Sequence, residues 1–100
     1  MKRPASVSYK EDLLERLKDI EYSASYLNLA LEDEDPRVFL LALKDVIEAH
    51  GGIGKASKKA ELSRESMYKT LSGKKDPRIS TVAKMLDSVG IELKTYPKPR

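Results

Sequence analysis

Between Ile53 and Gly73 the chain reads IGKASKKAELSRESMYKTLSG, two short helix-like stretches joined by a tight polar turn. This pair constrains the fold more than any other segment. Ser63 opens the second stretch, because its side chain can accept a hydrogen bond from a free first-turn N–H, and Gly73 closes it. Met67, Thr70 and Leu71 make one side of that stretch apolar, whereas Arg64, Glu65, Tyr68 and Lys69 occupy the other. Ala56, Ser57 and Ala60 are small enough for two helices to touch, and Leu62 plugs the space beneath the turn. The spacing predicts helices over 53–60 and 64–72, with the remaining chain supplying the body on which Met67 and Leu71 rest.

That body is also helical by pattern. Leu13, Leu14, Leu17 and Ile20 recur at helical spacing and predict a first helix of about ten residues. A second is expected from Ser23 to Leu31, with Tyr26, Leu27, Ala30 and Leu31 inward. Asp35 is an N-cap with Pro36 at the first helical position, where its missing N–H costs nothing. The third helix then runs to His50, apolar at Phe39, Leu40, Leu43, Val46 and Ile47, and stops at Gly51-Gly52. Ser80 is the expected N-cap of a sixth helix with Val82, Met85, Leu86 and Val89 inward, ended by Gly90. Ile91 to Tyr96 alternates apolar and polar residues, the signature of a short strand, and Pro97 and Pro99 prevent its extension. A lone strand needs a partner for its backbone groups, and the same strand of a second copy is one candidate. The fold class expected is all-α, five or six helices with a short C-terminal β-strand. Residues 1–9 read as a flexible arm, 10–50 as acidic helices, 51–96 as the basic region with its strand, and 97–100 as a tail. Residues 10–96 form one compact domain.

The net charge of +3 conceals a division. From Lys10 to His50 there are 5 Lys/Arg against 11 Asp/Glu, whereas from Gly51 to Arg100 there are 12 against 5. The basic half suits a polyanion, and the helix pair lies within it. There is no cysteine, which removes disulfides, thiolate nucleophiles and cysteine metal sites. No apolar run approaches the roughly 20 residues of a membrane span, the N-terminus lacks an apolar signal core, and the cytoplasm is the expected location.

A short helix with a packed back and a polar, cationic front suits a helix-turn-helix, and the expectation is DNA binding. Arg64 is the candidate for reading guanine, because its planar fork can donate to O6 and N7 together. Glu65 either accepts from a cytosine amine or orients Arg64, and Tyr68 touches a thymine methyl or a phosphate. Ser63 stands at the same outward N-terminal end. Lys69, Lys74 and Lys75, with Lys55, Lys58 and Lys59 on the preceding helix, are candidates for phosphate contact. A solvated basic surface and a half-buried Tyr68 are the competing readings.

From Ile53 to about Leu93 the chain resembles the Xre/λ-repressor-like helix-turn-helix superfamily. More narrowly, LSRESMYKTLSGKKDPRISTVAKMLDSVGIEL is similar to the antidote proteins of HigBA-type toxin–antitoxin modules, and SYLNLALEDEDPRVFLLALKDVIEAHG (Ser25–Gly51) is similar to the helical lead-in of that subfamily. The resemblance covers about 70 of the 100 residues. It implies a small homodimeric repressor that binds its double-stranded operator and neutralises a co-encoded, mRNA-cleaving RelE/ParE-like toxin. Two departures stand out. Ser57 replaces the usual alanine, and Glu61 replaces the usual turn glycine. Glu61 must therefore take a left-handed conformation or reshape the turn.

The other chemistry is sparse, and no enzymatic activity, cofactor or metal is expected. His50, the single histidine, lies at a helix C-terminus, where a cationic imidazole favours the dipole. The acidic run Glu32–Asp35 lacks calcium-loop spacing, and no glycine-rich phosphate loop is present. The acidic helices suit a small basic toxin, with Leu13, Leu14, Leu17, Tyr22 and Tyr26 either anchoring it or covering the core. A stand-alone repressor and a pure protein-interaction module that has lost DNA binding are the alternatives.

Overall fold

The computed structural model describes residues 9–99, and six helices lie within them. These are α1 (Tyr9–Leu17), α2 (Ile20–Leu31), α3 (Pro36–Ala49), α4 (Gly52–Ala60), α5 (Arg64–Leu71) and α6 (Ile79–Ser88). Of the expected arm and tail, residues 1–8 and Arg100 lie outside the described residues, and Tyr9 already belongs to α1.

α3 is the element on which the others gather. Asp35 starts it, accepting from the Arg37 N–H at 2.9 Å, and Pro36 follows at the first position. The Arg37 side chain also donates to Asp35 at 2.8 Å and holds that carboxyl below its ordinary range. Phe39, Leu40, Ala42, Leu43, Val46 and Ile47 are buried, so α3 carries an apolar band too wide for a single neighbour to cover. α1, α2, α4 and α5 all pack on it, and α6 packs on α4. Met67 of α5 and Met85 of α6 are wholly buried in the same core.

Three expectations are corrected. The first helix ends at Leu17 rather than Ile20, because Asp19 caps α2 by accepting from the Glu21 N–H at 3.0 Å. Leu31 is exposed, whereas Leu27 is the buried apolar residue of α2. α6 begins at Ile79 with Arg78 at the N-cap position and no side-chain cap, so Ser80 lies inside the helix. Burial of Val82, Met85 and Leu86 sets that register, and the local capping preference of serine is overridden.

No strand forms at 91–96 among the described residues; 91–99 has no regular secondary structure. α6 ends in a Schellman motif instead. Gly90, at φ 81, donates its N–H to the Asp87 carbonyl, and Ile91 donates to the Leu86 carbonyl, both at 3.0 Å. Ile91 is thereby drawn against the core while Leu93 and Tyr96 face solvent, with no neighbouring strand to pair with.

The same motif closes α4, with glutamate in place of glycine. Glu61 adopts φ 56 and ψ 41, its N–H donates to the Lys58 carbonyl at 3.4 Å, and Leu62 donates to the Ser57 carbonyl at 3.0 Å. Of the two options left by the sequence, the chain takes the left-handed one. Leu62 then packs against the core under the turn.

Ser23 and His50 tie α2 to the end of α3. The Ser23 hydroxyl donates to the Leu17 carbonyl at 2.6 Å, which leaves its oxygen to accept from His50 Nε2–H at 3.2 Å. Ser23 is wholly buried with its proton committed, so this contact is a structural tie and not a nucleophile–base pair.

Two measurements test this account. A left-handed L-residue costs roughly 1–2 kcal/mol, offset by the about 0.4–1 kcal/mol that glycine loses through its freer unfolded chain. Glu61→Gly should therefore raise Tm by about 3–6 °C. Separately, burial, and after it the adjacent Asp45 carboxylate, push the Tyr26 phenol up from 10.0 to about 12. Its neutral form is favoured by folding, so that stability is complete below pH 10 and is lost as pH rises towards 12. Melts across this window should show a decline in wild type that Tyr26→Phe flattens.

Candidate functional site

The α4–α5 pair forms as its residues dictate. The Ser63 hydroxyl accepts from the Ser66 N–H at 3.0 Å and remains free to donate outward. Met67 and Leu71 are buried beneath α5, and Ala56, Ser57 and Ala60 are buried beneath α4. Arg64, Glu65, Tyr68 and Lys69 are exposed, Tyr68 by 54%. Tyr68 thus has about half of its surface covered and half open to solvent.

Arg64 is exposed but not loose. Its guanidinium lies over Gly54 in the first turn of α4, so close that a methyl group there would stand 2.6 Å from Nη2. Gly54 is a residue that sequence reasoning missed, since a glycine inside a helix reads only as a weak breaker. Lys55 behaves similarly, its side chain lying against Gly51.

The basic residues divide into separate groups. Lys69, Lys74 and Lys75 line one hollow of about 480 Å³ between α5 and the start of α6. Arg78, which was not anticipated, joins them there, together with Ser66, Thr70 and a single acid, Asp76. The Ser72 hydroxyl shapes its floor, donating to the Lys69 carbonyl at 2.7 Å and accepting from the Lys74 N–H at 3.4 Å. Lys59 belongs elsewhere, in a shallow depression with Glu61, Lys84 and Asp87. Lys58 is exposed on α4. The four clustered cations can hold phosphate-like anions, and the exposed α5 side chains offer hydrogen bonds beside them.

Among the described residues no group of three or more His, Asp or Glu is placed to hold a metal. Nor, among the described residues, is any helix long and apolar enough to cross a membrane.

Against this geometry, residues 8–97 match the sequence profile of the family described as probable addiction module antidote protein. The chain belongs to that family. An uncharacterized protein of Haemophilus influenzae is 32% identical over 81 residues, covering 81% of this chain and 82% of the relative. No solved structure matches. Membership in an antidote family implies a toxin partner, and nearly all of the described antidote chain lies within the match.

The antidote's Gly54 provides a direct test of the Arg64 geometry. Gly54→Ala should leave the fold intact and add up to about 1 kcal/mol of helix stability. The new methyl must displace the guanidinium, so the Arg64 Nε–H resonance should move in an NMR spectrum while that of Arg78 stays in place.

Proposed function

We propose that this antidote is a sequence-specific DNA-binding repressor of its own toxin–antitoxin operon, with the λ-repressor-like, HigBA-type arrangement that its sequence resembles. The observation that carries the reading is the pairing of a capped, buried-backed α5 with the hollow of Lys69, Lys74, Lys75 and Arg78. α5 supplies the donors and acceptors suited to base edges, and the adjacent cations suit the flanking phosphates. Arg64, steadied over Gly54, reads guanine; Glu65 and Tyr68 refine the choice, with Ser63 at the same end of α5; Lys55, Lys58 and Lys59 grip the backbone from the α4 side.

Two copies present their α5 helices about 34–36 Å apart to successive major grooves of a partly palindromic site. The partner neutralised by direct binding is a small basic RelE/ParE-like protein. A stand-alone repressor would not need one, and membership in an antidote family favours the paired arrangement.

Fluorescence titration against the DNA upstream of the gene tests the reading. Affinity should fall steeply with salt, since each phosphate contact releases counterions. Arg64→Ala should lose about 1–3 kcal/mol at one base position. Lys74→Ala and Lys75→Ala should weaken all sequences alike, each lowering the salt slope by about 1. Binding that stays non-specific and insensitive to salt would sink the proposal.

A further inference from the structure

Away from α5, a groove of about 680 Å³ runs between α2 and α3 and is lined only by those helices and their connection. Leu29 of α2 and Leu41 of α3 form its apolar walls and are 68% and 61% exposed, high values for leucines in a chain with a well-filled core. Exposed leucines lining one groove are a place where a partner's apolar side chains can be buried. The rim here is acidic. Glu32 and Asp33 stand at one end; Asp33 accepts from the Asp35 N–H at 2.8 Å through one oxygen, and no basic side chain forms an ion pair with either among the described residues. Asp45 is further along, accepting from the Tyr26 hydroxyl at 3.1 Å and paired with Lys10 at 3.0 Å.

We propose that this groove is where the toxin docks, receiving an amphipathic helix whose apolar residues face Leu29 and Leu41 and whose Lys or Arg side chains meet Glu32 and Asp33. An apolar helix face in an apolar groove supplies the burial, and the carboxylates select a cationic flank and steer its approach. A second copy of this chain fits less well, because the same face on the partner copy is acidic at Glu32, Asp33 and Asp45, and Lys10 beside it is already paired with Asp45. The proposal rests on the antitoxin reading but uses none of the residues assigned to DNA. It also replaces Leu17 as an anchor, since that side chain is wholly buried.

The test is a binding titration of the full chain with the purified product of the gene beside it. The double variant Leu29→Glu, Leu41→Glu should keep the wild-type circular dichroism and lose at least about 100-fold in affinity. Glu32→Lys with Asp33→Lys should slow association about 10-fold at low salt and little at high salt. If the leucine pair disturbs folding, Leu29→Ala with Leu41→Ala removes the same contacts more gently and should lose about 10-fold. A folded double variant that binds like wild type overturns the groove while leaving the antitoxin reading intact. Wild-type protein that does not bind the neighbouring product at all removes the antitoxin reading and the groove with it. If sedimentation shows that the leucine variants turn a dimer into a monomer, the groove is a contact between copies and the toxin-docking proposal fails.

Discussion

The apolar band of α3 must be covered on several sides at once, and the rest of the fold follows from that requirement. A helix of 14 residues with six buried apolar side chains cannot be satisfied by one antiparallel neighbour. α1 and α2 from the acidic half and α4 and α5 from the basic half all pack on it. The acidic and basic halves of the chain are therefore not separate units joined by a linker. They share one core, in which Leu17 and Leu27 lie with Met67, Leu71 and Met85. Any change that loosens α3 must be felt at α5 and at the α2–α3 groove alike.

What distinguishes α5 from an ordinary surface helix is how firmly it is set. It is short, eight residues, and would not be stable alone. Ser63 caps one end, the left-handed turn at Glu61 fixes its entry, and Met67 and Leu71 clamp its back. Arg37, held by Asp35 at the start of α3, lies against Gly73 just beyond its last turn. The exposed residues of α5 are thus presented on a firm support, as the proposed readout of base edges would require.

Much of this was legible in the sequence, and the misses share a cause. Helical periodicity, Asp35-Pro36 and Ser63 are local signals whose chemistry acts within a turn or two, and the helices they imply are present. Residues such as Gly54, Arg78 and Ser23 act across the fold. The value of Gly54 lies in the absence of a side chain where Arg64 arrives, and Ser23 matters because its oxygen meets His50 from 27 positions away. The expected strand failed for the same reason in reverse. Alternation from Ile91 to Tyr96 is a pattern without a neighbour, and the helix ending at Gly90 claims the Ile91 N–H first. Leu29 and Leu41 fall outside the inward sets that periodicity picks on α2 and α3, so their exposure was legible, whereas their meeting in one groove is a tertiary juxtaposition that no local pattern carries.

The two Schellman turns perform the same backbone task with residues of opposite electrostatic character. Gly90 is silent, but Glu61 places a carboxylate at the negative end of α4, beside Lys59 and Lys84 and with Asp87 nearby. The α4 edge of the basic half is thereby partly neutralised, whereas the α5–α6 hollow sets four cations against one acid. The potential over this face is consequently a gradient and not a plateau. A polyanion bound as proposed would be drawn more strongly to the Lys74–Arg78 side than to the α4 side.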